Sequence, residues 1–126
     1  MIKLLIIGAG GGLGAIARYG LSGLVHRYLD GRFPYGTFLV NIIGCFLLGF
    51  FMFLVQNRGM YSVHVRQGVA LGFIGAFTTY STFAYETFQM ITEHRMLEAA
   101  ANLSVHIVVG LGAVWAAWLL GQALTS

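Results

Sequence analysis

The stretch Gly72-Phe73-Ile74-Gly75-Ala76-Phe77-Thr78-Thr79-Tyr80-Ser81-Thr82-Phe83, GFIGAFTTYSTF, lies within an interval of 19 uncharged residues between Arg66 and Glu86. That length suits a membrane crossing, which needs roughly 20 mostly apolar residues. The chemistry is unusual for one. Two glycines and a run of hydroxyl side chains weaken a continuous helix. Discontinuous helices are tolerated at membrane depth where the break is buried in protein, and there their freed backbone groups bind ions. Phe77, Tyr80 and Phe83 recur every three residues and fall near one face if the segment is helical. Packing stripe and ion path are both open to such a face; the density of glycines and hydroxyls favours the path.

The rest of the chain agrees with a membrane setting. Of its 126 residues, 58% are hydrophobic and 9% charged, against about 25% charged in an ordinary soluble domain. Too few polar residues remain to cover a water-exposed surface. The net charge is +3, but the seven basic residues are scattered, which argues against nucleic acid as a partner. The single cysteine, Cys45, rules out an intrachain disulfide and reads as a small apolar side chain.

The gaps between charges set the spans. Twenty-five uncharged residues separate Arg32 from Arg58, and 28 follow Glu98. Only 14 separate Lys3 from Arg18, so the first crossing must run beyond Arg18. The expectation is an all-α membrane protein, one domain over 1–126, with four transmembrane helices near 3–25, 35–56, 66–92 and 98–122 and a break in the third. Pro34 fits the start of the second. Gly8 with Gly12, Gly10 with Gly14 and Gly68 with Gly72 have the spacing that brings helix backbones close in lipid. The order G-x-G-x-x-A from Gly10, with Asp30 beyond it, imitates a dinucleotide fingerprint, but further spans follow where a parallel sheet would be required.

Charge barely orients this chain. Lys3, Arg58 and Arg66 fall on one side and Arg27, Arg32 and Arg95 on the other, with Arg18 near that end. The positive-inside rule needs an excess, and balanced loops point to insertion both ways up, hence to an antiparallel dual-topology homodimer.

Few polar groups lie inside the spans. Arg18 reads either as snorkelling to the interface or as a cation at the mouth of an anion path. Asn41 reads as interhelical glue or as a pore-facing donor. His106 and Ser104 are the polar features of the fourth span, and no second ligand stands at helical spacing to make a metal site. Glu86 closes the uncharged run, with Arg66 as an expected partner; Glu93 and Arg95 form a second expected pair. Donors and cations outnumber carboxylates here, so a small, strongly hydrated anion is the ion that these residues suit.

The motifs resemble the Fluc-type (CrcB-like) fluoride channels over essentially the full length. The matching residues are Gly14-Ala15-Ile16-Ala17-Arg18, Gly36-Thr37-Phe38-Leu39-Val40-Asn41 and, most specifically, Gly72 to Phe83, where the family has G-F-x-G-G-x-T-T-F-S-T-F. The resemblance implies a channel, not an enzyme, giving passive fluoride efflux across the bacterial inner (cytoplasmic) membrane. It implies an antiparallel homodimer in lipid with two pores and a structural sodium ion (Na+) at its centre, held by the backbone carbonyls of Gly75 and Thr78. Asn41, Tyr80, Ser81, Thr82 and Phe83 fall at pore positions, with His106 as a polar candidate on the fourth span and Arg18 in the vestibule. Glu86 matches the family acid, and Ser104 is a further candidate. Tyr80 stands where the family usually has Phe, and Gly110 and Val114 stand where it often carries hydroxyls. A small dual-topology multidrug or cation exporter, which would want a carboxylate deep in a span, and a noncatalytic membrane scaffold are the alternatives.

Overall fold

The computed structural model describes residues 1–59 and 61–126. The described residues form helices and no strand: α1 (Ile2–Tyr28), α2 (Tyr35–Arg58), α3 (Val63–Arg66), a π-helical stretch (Gln67–Ile74), α4 (Gly75–Phe77), α5 (Tyr80–Thr92) and α6 (Met96–Thr125). α3, the π-helical stretch and α4 follow one another without a gap and form the first half of a third rod, which α5 continues. α1, α2 and α6 are each long and apolar enough to cross a membrane. Their 27, 24 and 30 residues correspond to about 36–45 Å at 1.5 Å per residue, enough to overrun a hydrocarbon core of about 30 Å.

The rods alternate in direction. At one end Arg58 donates to the Thr125 carbonyl at 3.0 Å, tying the C-terminal ends of α2 and α6 together. At the other, Arg95 donates to the Arg32 carbonyl at 2.6 Å and bonds Glu98 and Glu93, so the α5–α6 turn is fastened to the α1–α2 loop. That turn contains His94 at φ 58°, in the left-handed region. The Glu93–Arg95 pair is therefore made, at 3.1 Å. Glu86 meets Thr37 instead of the expected Arg66, for which no ion pair is formed among the described residues.

Glycine sets how close the rods come. A Cβ on Gly10 would strike the Gly68 carbonyl, one on Gly14 the Phe73 carbonyl, and one on Gly72 would lie 2.8 Å from the Ile7 carbonyl. α1 and the π-helical stretch thus touch backbone to backbone, which only residues without side chains permit. A Cβ on Gly8 or Gly12 would meet nothing within 4 Å among the described residues, so this pair is not where the chain's helix backbones come close. α6 lies along α2 with Gly49 under the Val114 carbonyl and Gly121 under the Phe53 ring.

The break in the third rod falls one step later than the glycines suggest. Gly75 is helical, at φ −60° and ψ −39°. Thr78 (φ −81°, ψ 159°) and Thr79 (φ −148°, ψ 103°) are extended and turn the chain between α4 and α5. Hydroxyl chemistry, not glycine freedom, makes the break: Thr79 accepts from the Thr82 N–H at 3.3 Å and so caps α5. The break also divides the aromatic stripe. Phe77 stacks on Phe73, 6.0 Å between centroids, whereas Tyr80 and Phe83 are neighbours beyond the break, 5.8 Å apart.

Candidate functional site

Breaking a helix in an apolar setting strands backbone groups that need partners. Asn41 supplies two of them from α2. Its Oδ1 accepts from the Thr79 N–H at 2.8 Å, and its Nδ2 donates to the Thr79 carbonyl at 3.1 Å. Both ends of one amide are thus spent on one residue, in the manner of a strand pair. One Nδ2 hydrogen remains. Gly44, one turn further along α2, leaves the space into which the Thr78 methyl fits.

Two cavities flank this clamp. The first, of about 670 Å³, has polar groups set in a mainly apolar lining: Arg18, Ser22 and His26 of α1 with Thr37, Thr79 and Thr82. No carboxylate pairs with Arg18 among the described residues, so its charge is available to the cavity. The second, of about 510 Å³, is walled by Asn41, Gly75, Thr78, Tyr80, Phe83 and His106. Thr79 belongs to one and Asn41 to the other, so the clamp is the partition between them.

In the second cavity Phe83 is 9% exposed and Tyr80 79% exposed. The Phe83 ring lies 4.1 Å from the His106 ring, centroid to centroid, and Phe38 meets His106 edge-on at 5.4 Å. His106 Nδ1 bonds the Asn102 carbonyl at 2.9 Å, while its Nε2 is buried without a partner among the described residues. Gly75 and Thr78 lie on the same wall, and among the described residues nothing donates to their carbonyls.

Midway along α5, Thr37 donates to Glu86 Oε1 at 2.7 Å, and Glu86 Oε2 has no partner among the described residues. Next to it on α5, Thr87 accepts from the fully buried Asn102 at 2.9 Å and donates to the Phe83 carbonyl at 2.8 Å. This chain of bonds fixes α5 against α6 and sets the height of Phe83.

Of the residues singled out in the sequence, Asn41, Tyr80, Phe83, His106, Gly75 and Thr78 share the second cavity, and Arg18 and Thr82 share the first. Ser81 and Ser104 lie apart: Ser81 is exposed on α5, and Ser104 is exposed and bonds back to the Ala100 carbonyl at 2.8 Å. Thr79, Thr37, Thr87 and Asn102 carry structural work that was not individually assigned. For Thr79 the signal was present, a threonine three residues before Thr82 at the start of an amphipathic turn.

This arrangement coincides with a match at the level of families. Residues 5–118 fit the family described as CrcB-like protein, Camphor Resistance (CrcB). The chain belongs to this family. CrcB relatives agree over nearly the whole length. A "Fluoride-specific ion channel FluC" of Dehalococcoides mccartyi is 40% identical over 124 residues, 98% of this chain and 95% of the relative. Proteins of the same description from Geotalea daltonii and Solidesulfovibrio magneticus are 42% and 41% identical, covering 91% and 97% of this chain and 93% and 98% of theirs. The chain is thus a multi-pass membrane protein of the CrcB family, and its own third rod is broken at Thr78–Thr79.

Proposed function

We propose that the protein is a fluoride channel that lets fluoride leave the cell passively across the inner membrane. The observation that carries this reading is the Asn41 clamp, which holds a helix break open between a cavity served by Arg18 and a cavity edged by aromatic rings. Fluoride is small and strongly hydrated, so donors must replace its water. The free Nδ2 hydrogen of Asn41, the Thr82 hydroxyl and the positive ring edges of Phe83 and Tyr80 are the groups on offer.

The working unit is an antiparallel dual-topology homodimer of four-span subunits in lipid, with two pores. The near equality of basic residues on the two sides supports insertion in both directions. A second copy would cover the open second cavity. It would also bring a second set of Gly75 and Thr78 carbonyls to the first. Unpartnered carbonyl oxygens suit a hard cation, so these four fit a structural sodium ion, which would neutralise the break from both sides and is not itself transported.

Purified protein in liposomes is expected to release fluoride when the gradient is discharged; no flux would remove the channel reading. Phe83→Ile is expected to reduce flux strongly while the dimer persists, and unchanged flux would take Phe83 off the pore. A tag at the C-terminus is expected to report on both faces of the membrane. Replacing sodium by a bulky organic cation is expected to lower thermal stability of the dimer in detergent.

A further inference from the structure

The second cavity contains a group whose hydrogen-bonding role can be read from its partner. A backbone carbonyl only accepts, so the His106 Nδ1 that bonds the Asn102 carbonyl at 2.9 Å carries a hydrogen. In the neutral ring the other nitrogen, Nε2, is then a bare acceptor. It is buried and meets no partner among the described residues. Asn102 is turned the same way, with its Nδ2 given to Thr87 and its Oδ1 buried without a partner. Beside Phe83 the fourth rod therefore presents the bare His106 Nε2, an acceptor that an anion arriving at the Phe83 ring would find repulsive.

We infer that His106 sets the fluoride permeability of this channel through its protonation: as the imidazolium it presents an Nε2–H donor to the anion beside Phe83, and as the neutral ring it opposes it. The inference rests on the fluoride-channel reading. Adding one proton at Nε2 converts an acceptor to a donor without disturbing the Nδ1 bond, so the ring need not move out of its contacts with Phe38 and Phe83. Imidazole is the side chain whose unperturbed titration falls between about pH 5 and 8. The other titratable groups at this level are Cys45 from α2 and Tyr80 from α5, both on the same cavity wall. Tyr35 lies beyond Phe38 by way of Phe33. Glu86 stands one turn past Phe83 on α5 and is held by Thr37. Neither a carboxylate nor a guanidinium lines the cavity itself, so no fixed charge there substitutes for the imidazolium.

The test is fluoride efflux from liposomes at matched internal and external pH, with the leak of protein-free vesicles subtracted at each pH. Between about pH 8 and about pH 5.5 the flux of the full-length chain is expected to rise about tenfold. His106→Gln keeps a neutral N–H donor at every pH, so its flux is expected to be flat and near the acid plateau. His106→Leu is expected to be flat and low. A dimer of unchanged elution volume confirms that each variant folds, and His106→Gln alone decides the matter where His106→Leu does not. A flat profile for the unaltered chain overturns the inference, as does a rise that survives in His106→Gln. No flux at any pH overturns the channel reading and this inference with it, whereas flux without pH dependence overturns only the inference.

Discussion

The two halves of the third rod are held by different physics. Before the break, the π-helical stretch lies on α1 with glycine facing carbonyl at Gly10, Gly14 and Gly72. The contact is made of backbone, has no adjustable part, and depends on the absence of side chains. After the break, α5 is held by directed side-chain bonds: Asn41 to Thr79, Thr37 to Glu86 and Asn102 to Thr87. One half is a fixed wall and the other is positioned group by group. The contrast places tolerance and intolerance to substitution in different residues, and it explains why the polar groups of the site gather on the α5 side.

Substitutions can break this comparison, and the largest effect is expected on the backbone side. Gly14→Leu drives a side chain into the Phe73 carbonyl and is expected to cost more than about 3 kcal/mol, with little folded protein recovered after extraction. Normal recovery would show that α1 and the π-helical stretch separate freely. Asn41→Leu is next. It strands the N–H and the carbonyl of Thr79 in a buried place, each a loss of about 1–3 kcal/mol. Its thermal midpoint in detergent is expected to fall clearly and its flux to vanish. A variant as stable as the parent would mean that the break holds itself.

Smaller changes sharpen the contrast. Thr79→Ala removes the cap of α5 and is expected to cost about 1 kcal/mol, with Thr79→Ser close to the parent in the same unfolding measurement. Thr37→Val keeps the volume and removes the donor to Glu86, for an expected loss of about 0.5–1 kcal/mol. At the bottom of the scale, Gly20→Ala meets open space and improves helix propensity, so a gain of about 0.5–1 kcal/mol is expected. A loss there as large as at Gly14 would show that α1 has no tolerant face.

Much of the architecture is legible in one dimension because lipid makes it so. Charges are expensive in the hydrocarbon, so their absence marks where α2 and α6 run, whereas α1 is legible only by extending the first crossing beyond Arg18. The region of a break in the third rod is legible for a related reason: a dense run of threonines and glycines weakens a helix in an apolar segment. Its register was not. Glycines and hydroxyls weaken the whole stretch alike, yet Gly75 is helical and the chain turns at Thr78–Thr79. Helix propensity identifies a weak region, but the residue that yields is the one that finds outside partners, and those belong to α2. For the same reason the Glu86–Arg66 pair expected from charge gave way to Glu86–Thr37.

The sequence by itself determined the solvent, the number of rods, the residues able to lie against one another without side chains, and the membership of GFIGAFTTYSTF in a broken helix. These follow from transfer free energies and steric limits, which act on each segment separately. Only the tertiary structure decided what Asn41 does with its two polar ends, that Thr79 is both the cap of α5 and the partition between two cavities, and that His106 Nε2 is left without a partner beside Phe83. Hydrogen bonds are pairwise and directional, and a partner 38 residues away is set by how the rods pack, which no single stretch of the chain specifies.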